Sequence, residues 1–156
     1  MSTLVRAATA DDLAELEPLL WPPLMQPPKR PRFLRGLAEG DVVVAIEDGA
    51  IAAYMWVYEY FFGHTFIAYL GVADARRRRG HAGRLLASAE RRAVSDRVFS
   101  STNASNAPMQ AVFERYGWTR CGVIDDLDPG DPEWVYVKYV SPAGANSGRG
   151  PTPESG

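Results

Sequence analysis

Residues 66 to 93 constrain this chain more than any other stretch. Phe66-Ile67-Ala68-Tyr69-Leu70-Gly71-Val72 is a continuous apolar run, and Arg76-Arg77-Arg78-Arg79-Gly80-His81-Ala82-Gly83 follows it. Leu85, Leu86, Ala89 and Ala93 come next, at helical spacing. The run reads as a strand and the later spacing as the buried face of a helix starting near His81. The arginine segment is therefore a strand-to-helix turn. The first N–H groups of a helix have no partner within it and sit at the positive end of its dipole. Gly80 and Ala82 lack bulk, so a ligand can approach the main chain, and Arg77, Arg78 and Arg79 add charge. The combination suits a diphosphate. It has neither the G-K-[ST] of a nucleotide-binding P-loop nor the glycine spacing of a dinucleotide fold.

A run of arginines also suits nucleic acid. The formal net charge is −2, however, and no aromatics are interleaved with the arginines, so nucleic acid is not the expected partner. No apolar run approaches the ~20 residues of a membrane helix. The first residues lack the apolar core of a signal peptide. The single cysteine, Cys121, allows no internal disulfide and reads as a small, at least half-buried strand residue. A cytoplasmic protein is expected, with no metal site.

The remaining elements follow from periodicity and breakers. Leu4 to Ala7 is a short strand. Thr9 caps a helix with Asp11 and Asp12 in its first turn and Leu13, Leu16, Leu19 and Leu20 on one face. Pro22-Pro23 and Pro27-Pro28 break the chain before a second helix over 33–38. Strands are expected over 42–46, 51–62 and 65–72, with Asp48-Gly49 and Gly63-His64 as turns. After the helix to about Val94 come a strand over 98–102 and a helix over 106–116, ended by Gly117. A final hairpin, 118–124 and 134–140, encloses the acidic stretch Asp125 to Glu133. The order β-α-α-β-β-β-α-β-α-β-β implies an α/β (α+β) layer fold, with residues 1–140 as one domain. Residues 141–156, rich in Gly, Pro, Ser and Ala, read as a disordered tail.

Two motifs at a characteristic separation carry a family resemblance. Leu70-Gly71-Val72 through Leu86 resembles the acetyl-CoA-binding motif of the GNAT acetyltransferase superfamily. Asn106-Ala107-Pro108-Met109-Gln110-Ala111-Val112-Phe113-Glu114-Arg115-Tyr116-Gly117-Trp118 resembles that family's N-x-x-A…L-Y-E-K-L-G-F helix. The resemblance implies a mixed, mostly antiparallel central sheet with helices on both faces and a splayed β4/β5 pair. It implies that acetyl-CoA is a cosubstrate and that an amine attacks its thioester directly. The main chain of Leu70, Gly71 and Val72 would then hold the pantetheine arm and polarise the carbonyl. Arg77, Arg78, Arg79, Gly80, His81, Ala82 and Gly83 would hold the pyrophosphate, and Asn106 and Phe113 would contact the coenzyme. The acceptor would be a primary amine of a small molecule or peptide. Pairing of two copies through the last strands is compatible with this pattern.

The sequence departs from the family at the proton donor. Phe113 stands where a tyrosine is often found, and Tyr116, one turn on, is the candidate replacement. Glu59, on one strand face with Met55, Val57 and Phe61, is the candidate base, with His64 behind it. Trp56, Tyr58 and Tyr60 share the other face as candidate acceptor-pocket residues, and Trp21-Pro22-Pro23-Leu24-Met25 stands where an acceptor lid is expected. The acidic stretch is either a polar loop or a rim attracting a cationic amine. The loss of the tyrosine also suits an alternative, an acyl-CoA-binding regulatory module with little or no turnover.

Overall fold

The protein is described by a computed structural model over residues 2–141, so the expected tail lies outside the described residues from 142 onward. Among the described residues, one sheet holds β1 (Thr3–Ala7), β2 (Val42–Glu47), β3 (Ala50–Phe61), β4 (His64–Val72), β5 (Arg97–Asn103), β6 (Thr119–Ile124) and β7 (Glu133–Tyr139). Their spatial order is β1-β2-β3-β4-β5-β7-β6. All neighbours are antiparallel except β4 and β5. The helices are α1 (Leu13–Leu16), α2 (Lys29–Ala38), α3 (His81–Arg91) and α4 (Ala107–Arg115).

Alternation along β3 builds a core on each side of the sheet. Met55 and Val57 pack with Ile67, Leu85, Leu86 and Phe113 beneath α3 and α4. Tyr54 and Trp56 pack with Leu16, Leu24, Phe33 and Leu37 beneath α1 and α2. Each such side chain contributes roughly 1.5–3 kcal/mol when fully buried. Cys121 is exposed, against expectation, because β6 is an edge strand with mostly exposed residues.

Prolines account for two further differences. Pro18 lacks an N–H to donate, and the first helical region is broken into a single turn of α-helix flanked by 3₁₀ turns. Conversely, α2 starts at Lys29, before the expected Phe33, and includes Pro31. Pro31 is in the first turn, where the missing N–H would have had no helical partner anyway.

The feature that positions the site is a fork. β4 and β5 pair only at Thr65–Val98, Phe66–Phe99 and Ile67–Ser100. At the fork, Ser100 Oγ donates to the Ile67 carbonyl at 2.9 Å. On the opposite side the ladder steps from Val57–Ile67 to Trp56–Tyr69, leaving Ala68 as an extra residue in β4. Such a bulge bends the strand and disrupts its pairing. From Ala68 to Val72 the β5-facing edge of β4 is left without a strand neighbour.

Candidate active site

A cleft of about 1040 Å³ opens at the fork. The α2 helix forms one wall and the β6–β7 connection the other. Its lining includes Leu70 on β4, Ser100 to Asn103 on β5, and Asn106 and Met109 at the start of α4.

The arginine turn leads into α3. Gly80 caps the helix at φ 83°, a left-handed conformation that a side chain would strain. The first main-chain bond of the helix runs from Arg84 N–H to the Gly80 carbonyl at 3.1 Å. The N–H groups of His81, Ala82 and Gly83 therefore project from the helix end without helical partners, as an anion requires. Tyr116 lies flat against Gly83, where even a methyl group would overlap its ring. Asn106 caps α4 by accepting from Met109 N–H at 3.2 Å, which leaves its amide NH₂ as a donor.

The arginines divide the work differently from the sequence reading. Glu47, at the end of β2, is completely buried. Arg76 donates to its carboxylate and, at 3.1 Å, to its main-chain carbonyl, while Arg79 donates to the carboxylate at 2.8 Å. Burial alone would raise the Glu47 carboxyl, but the bonds from Arg76 and Arg79 outweigh it and hold it below the ordinary range. His81 is also buried, with Nε2 3.5 Å from Glu47 Oε1. His81 is thus turned into the protein, while Arg79, tied to Glu47, keeps its side chain 43% exposed beside the helix end. Arg77 bridges Asp74 at 2.9 Å on the surface. Arg78 holds the turn's second left-handed position, at φ 63°.

The two bases expected from the sequence both lie away from the cleft. Glu59 is exposed, on the sheet face opposite Trp56 and Tyr58, and does not line the cleft. His64 is at the far end of β4, bonded to Ser95 Oγ at 2.6 Å. Glu39, Asp41, Asp128 and Glu133 do line the cleft; Arg92 engages Asp41, and Glu133 is half-buried at the start of β7 opposite Asn103. Burial pushes its carboxyl up; a hydrogen bond from Ser101 opposes this, and Asp128 and Asp131 add to it. Glu133 was visible in the sequence only as the last member of the acidic stretch. Its strand position, directly after Pro132, was the signal that separated it from the loop.

Two other expected contacts are corrected. Phe113 is fully buried and stacked on Tyr136 at 4.5 Å, so it supports the core and does not face a ligand. Tyr116 is beside the α3 N-terminus and is not part of the cleft lining, so its phenol is placed for the phosphate end of a coenzyme. The acidic stretch is docked: Asn103 Nδ2 donates to Asp128 at 2.9 Å, and Ser105 donates to Asp131 from both N–H and Oγ.

Aromatic rings floor the α2 side of the cleft. Trp56, Tyr58 and Tyr60 all line it. Tyr69 is stacked between Trp21, at 5.2 Å, and Trp56, at 5.8 Å. The Trp21 main-chain N–H donates to the Tyr54 hydroxyl at 3.0 Å; of residues 21–25, Trp21 lines the cleft and Leu24 is buried in the core. The Tyr54 ring in turn fills the space beneath Gly71, where an added Cβ would meet it at 2.6 Å.

Comparison with known proteins agrees with this geometry. The model of the Acetyltransferase (GNAT) family matches residues 7–118. A GNAT-family acetyltransferase from Bacillus cereus ATCC 10987 is 31% identical, with a TM-score of 0.82 over 90% of this chain and 99% of that one. The Escherichia coli ribosomal-protein-S18-alanine N-acetyltransferase has the same fold at 17% identity, with a TM-score of 0.71 over 93% and 98% of the two chains. A Bacillus anthracis acetyltransferase in complex with acetyl coenzyme A shares the fold at 14% identity, with a TM-score of 0.58 over 64% and 63%. No curated protein matches the sequence.

Proposed function

Because the chain belongs to the GNAT acetyltransferase family, we propose that residues 1–140 form one domain that transfers the acetyl group of acetyl-CoA to a primary amine. The observation that carries this reading is the fork between β4 and β5. Unpaired helix N–H groups and the unpaired edge of β4 flank the fork, and a carboxylate with raised proton affinity stands on the acceptor side.

The residues present fit the coenzyme. The N–H groups of His81, Ala82 and Gly83 have no helical partners at this helix N-terminus, which suits a pyrophosphate. The edge of β4 at Leu70 to Val72 supplies main-chain groups for the amides of the pantetheine arm, and the Asn106 NH₂ adds a donor. When bound, acetyl-CoA supplies an activated acyl group on a thiol leaving group.

The chain's own contributions are alignment, polarisation and proton removal. Glu133 takes a proton from the incoming ammonium, giving the nitrogen a free lone pair. That lone pair forms the C–N bond to the acyl carbon while main-chain N–H groups on β4 receive the charge growing on the carbonyl oxygen. The C–S bond then breaks, and the second proton shed by the nitrogen as it becomes an amide passes to the departing sulfur or to solvent. A thiol has a pKa of about 8.5, so the sulfur can leave as thiolate without a phenol beside it. The absence of a tyrosine at 113 is compatible with this route, and the fixed geometry of the fork provides the proximity.

The test is release of free thiol from acetyl-CoA across an amine panel, with coenzyme binding measured separately by calorimetry. Thiol release that depends on the amine supports transfer. Phe113 is buried among core aromatics, which favours one second reading: tight coenzyme binding without amine-dependent release would mark a regulatory acyl-CoA-binding module.

A further inference from the structure

The charges around the acceptor end follow a pattern that catalysis does not require. On α2, Arg30 points away from the cleft and is paired with Glu17 at 3.1 Å. Lys29, Arg32 and Arg35, three residues apart on the same helix, all line the cleft. Among the described residues, none of these three has a carboxylate within salt-bridge distance. The Lys29 ammonium is held by uncharged groups: it donates to the Tyr69 hydroxyl at 3.1 Å and stands 5.3 Å from the Trp21 ring centroid. Arg6, Arg76, Arg79, Arg92 and Arg97 are all matched to carboxylates elsewhere. Three cations without a carboxylate partner thus stand together on the wall that faces the aromatic floor.

The opposite wall has the other sign. Asp128 and Glu133 line it, across the cleft from α2. Glu39 and Asp41 also border the cleft, at the C-terminal end of α2, and Arg92 engages Asp41 at 3.2 Å. Between the two walls lie the rings of Tyr69, Trp56 and Tyr58, with Trp56 stacked on Tyr69 and set edge-on to Tyr58.

We propose that the acceptor is an amine that also carries an anionic group on an apolar body, with its anion against Lys29, Arg32 and Arg35 and its amine directed to Glu133. This rests on the acetyl-transfer reading above and specifies its substrate. Arginine guanidinium groups match a carboxylate or phosphonate with paired hydrogen bonds. A tryptophan and tyrosine floor offers a ring large contact area at low entropic cost. A polyamine would bring like charges against the α2 wall and is excluded as the preferred acceptor.

The experiment uses matched amines on one aromatic body: 2-phenylethylamine, phenylalanine and the phosphonate analogue of phenylalanine, with spermidine as the polycation. Thiol release is read for each. Binding of N-acetylphenylalanine and of its amide is read separately through quenching of Trp fluorescence, where no amine titrates. The expected result is a kcat/KM at least about tenfold higher for the anionic amines than for 2-phenylethylamine, in line with a charge-assisted hydrogen bond. N-acetylphenylalanine is expected to bind about tenfold more tightly than its amide. The carboxylate and phosphonate arms identify which anion the wall prefers. The double reversal Arg32→Glu/Arg35→Glu should turn the preference toward 2-phenylethylamine, a gain that misfolding cannot produce. Equal binding of the acid and the amide, or preference for spermidine, overturns the proposal. If no amine releases thiol but the acid still binds preferentially, the acetyl-transfer reading fails and the anion site stands.

Discussion

The α3 turn and the α2 wall of the cleft are built by opposite rules. At the α3 end, Glu47 ties Arg76 and Arg79 to one buried carboxylate, and the first N–H groups of the helix are left without helical partners. At the α2 end, cations lack carboxylate partners and the rings are partly open to solvent, with Trp21 46% and Tyr60 79% exposed. The first arrangement spends side chains on holding the backbone still, which suits a ligand that never changes. The second leaves side chains free to select, which suits a ligand that differs between relatives sharing this fold. Glu133 stands where the two meet.

The largest effect that would sharpen this contrast is expected at that junction. Glu133→Gln should lower kcat/KM by about 10²-fold or more while acetyl-CoA affinity stays within a fewfold. The base must be deprotonated to act, so the wild-type rate should rise with pH through a value above the ordinary glutamate range. That acid limb should vanish in the variant. Asp128 and Asp131 press the proton affinity up and Ser101 presses it down, so Ser101→Ala should move the limb to higher pH. A fall in coenzyme affinity with an unchanged limb would remove Glu133 from the junction.

Gly83→Ala comes next. The new methyl overlaps the Tyr116 ring, and such overpacking typically costs about 1–3 kcal/mol. Melting temperature and acetyl-CoA affinity should both fall, and Tyr116→Ala in the same chain should restore much of the loss. No interaction between the two changes would break the picture of a helix end fitted to its neighbour. For Glu47→Gln, the expected change is about a tenfold rise in the acetyl-CoA Kd, since one fewer charge holds the turn. An unchanged Kd would show that the turn keeps its shape without the buried pair.

The smallest effect lies outside both ends and calibrates the others. Arg6 holds the Asp12 carboxyl from its ordinary 3.8 down to about 2, by hydrogen bond and charge. A lowered folded-state pKa contributes stability above the unfolded value and loses it as pH falls through the folded one. Asp12→Asn should therefore cost a few degrees of Tm near neutrality and nothing extra near pH 2. A deficit that persists at pH 2 would assign Asp12 a role beyond its charge.

The two ends also differed in how legible they were. The α3 end is local in sequence, and residues 66–93 announced its strand, turn and helix. What they did not announce was the destination of Arg79 and His81, because Glu47 reaches them from a strand 29 or more residues earlier. The acceptor floor followed from alternation, which put Trp56, Tyr58 and Tyr60 on one face. The same alternation put Glu59 on the other face, away from the floor it was meant to serve. Glu133 was obscured by its acidic neighbours, and the cations of α2 by Pro31, which concealed the start of the helix that aligns them. Phe113 read as a ligand contact from its motif position alone; its stacking on Tyr136 depends on a strand that returns more than twenty residues later.

One measurement bears most directly on the central claim: a single reaction containing protein, acetyl-CoA and phenylalanine, in which free thiol and N-acetylated amine are both quantified. The expected result is one acetylated amine for each thiol released, with neither appearing when the amine is omitted. Bound acetyl-CoA with no acetylated product across the amine panel, or thiol release indifferent to the amine, would contradict it.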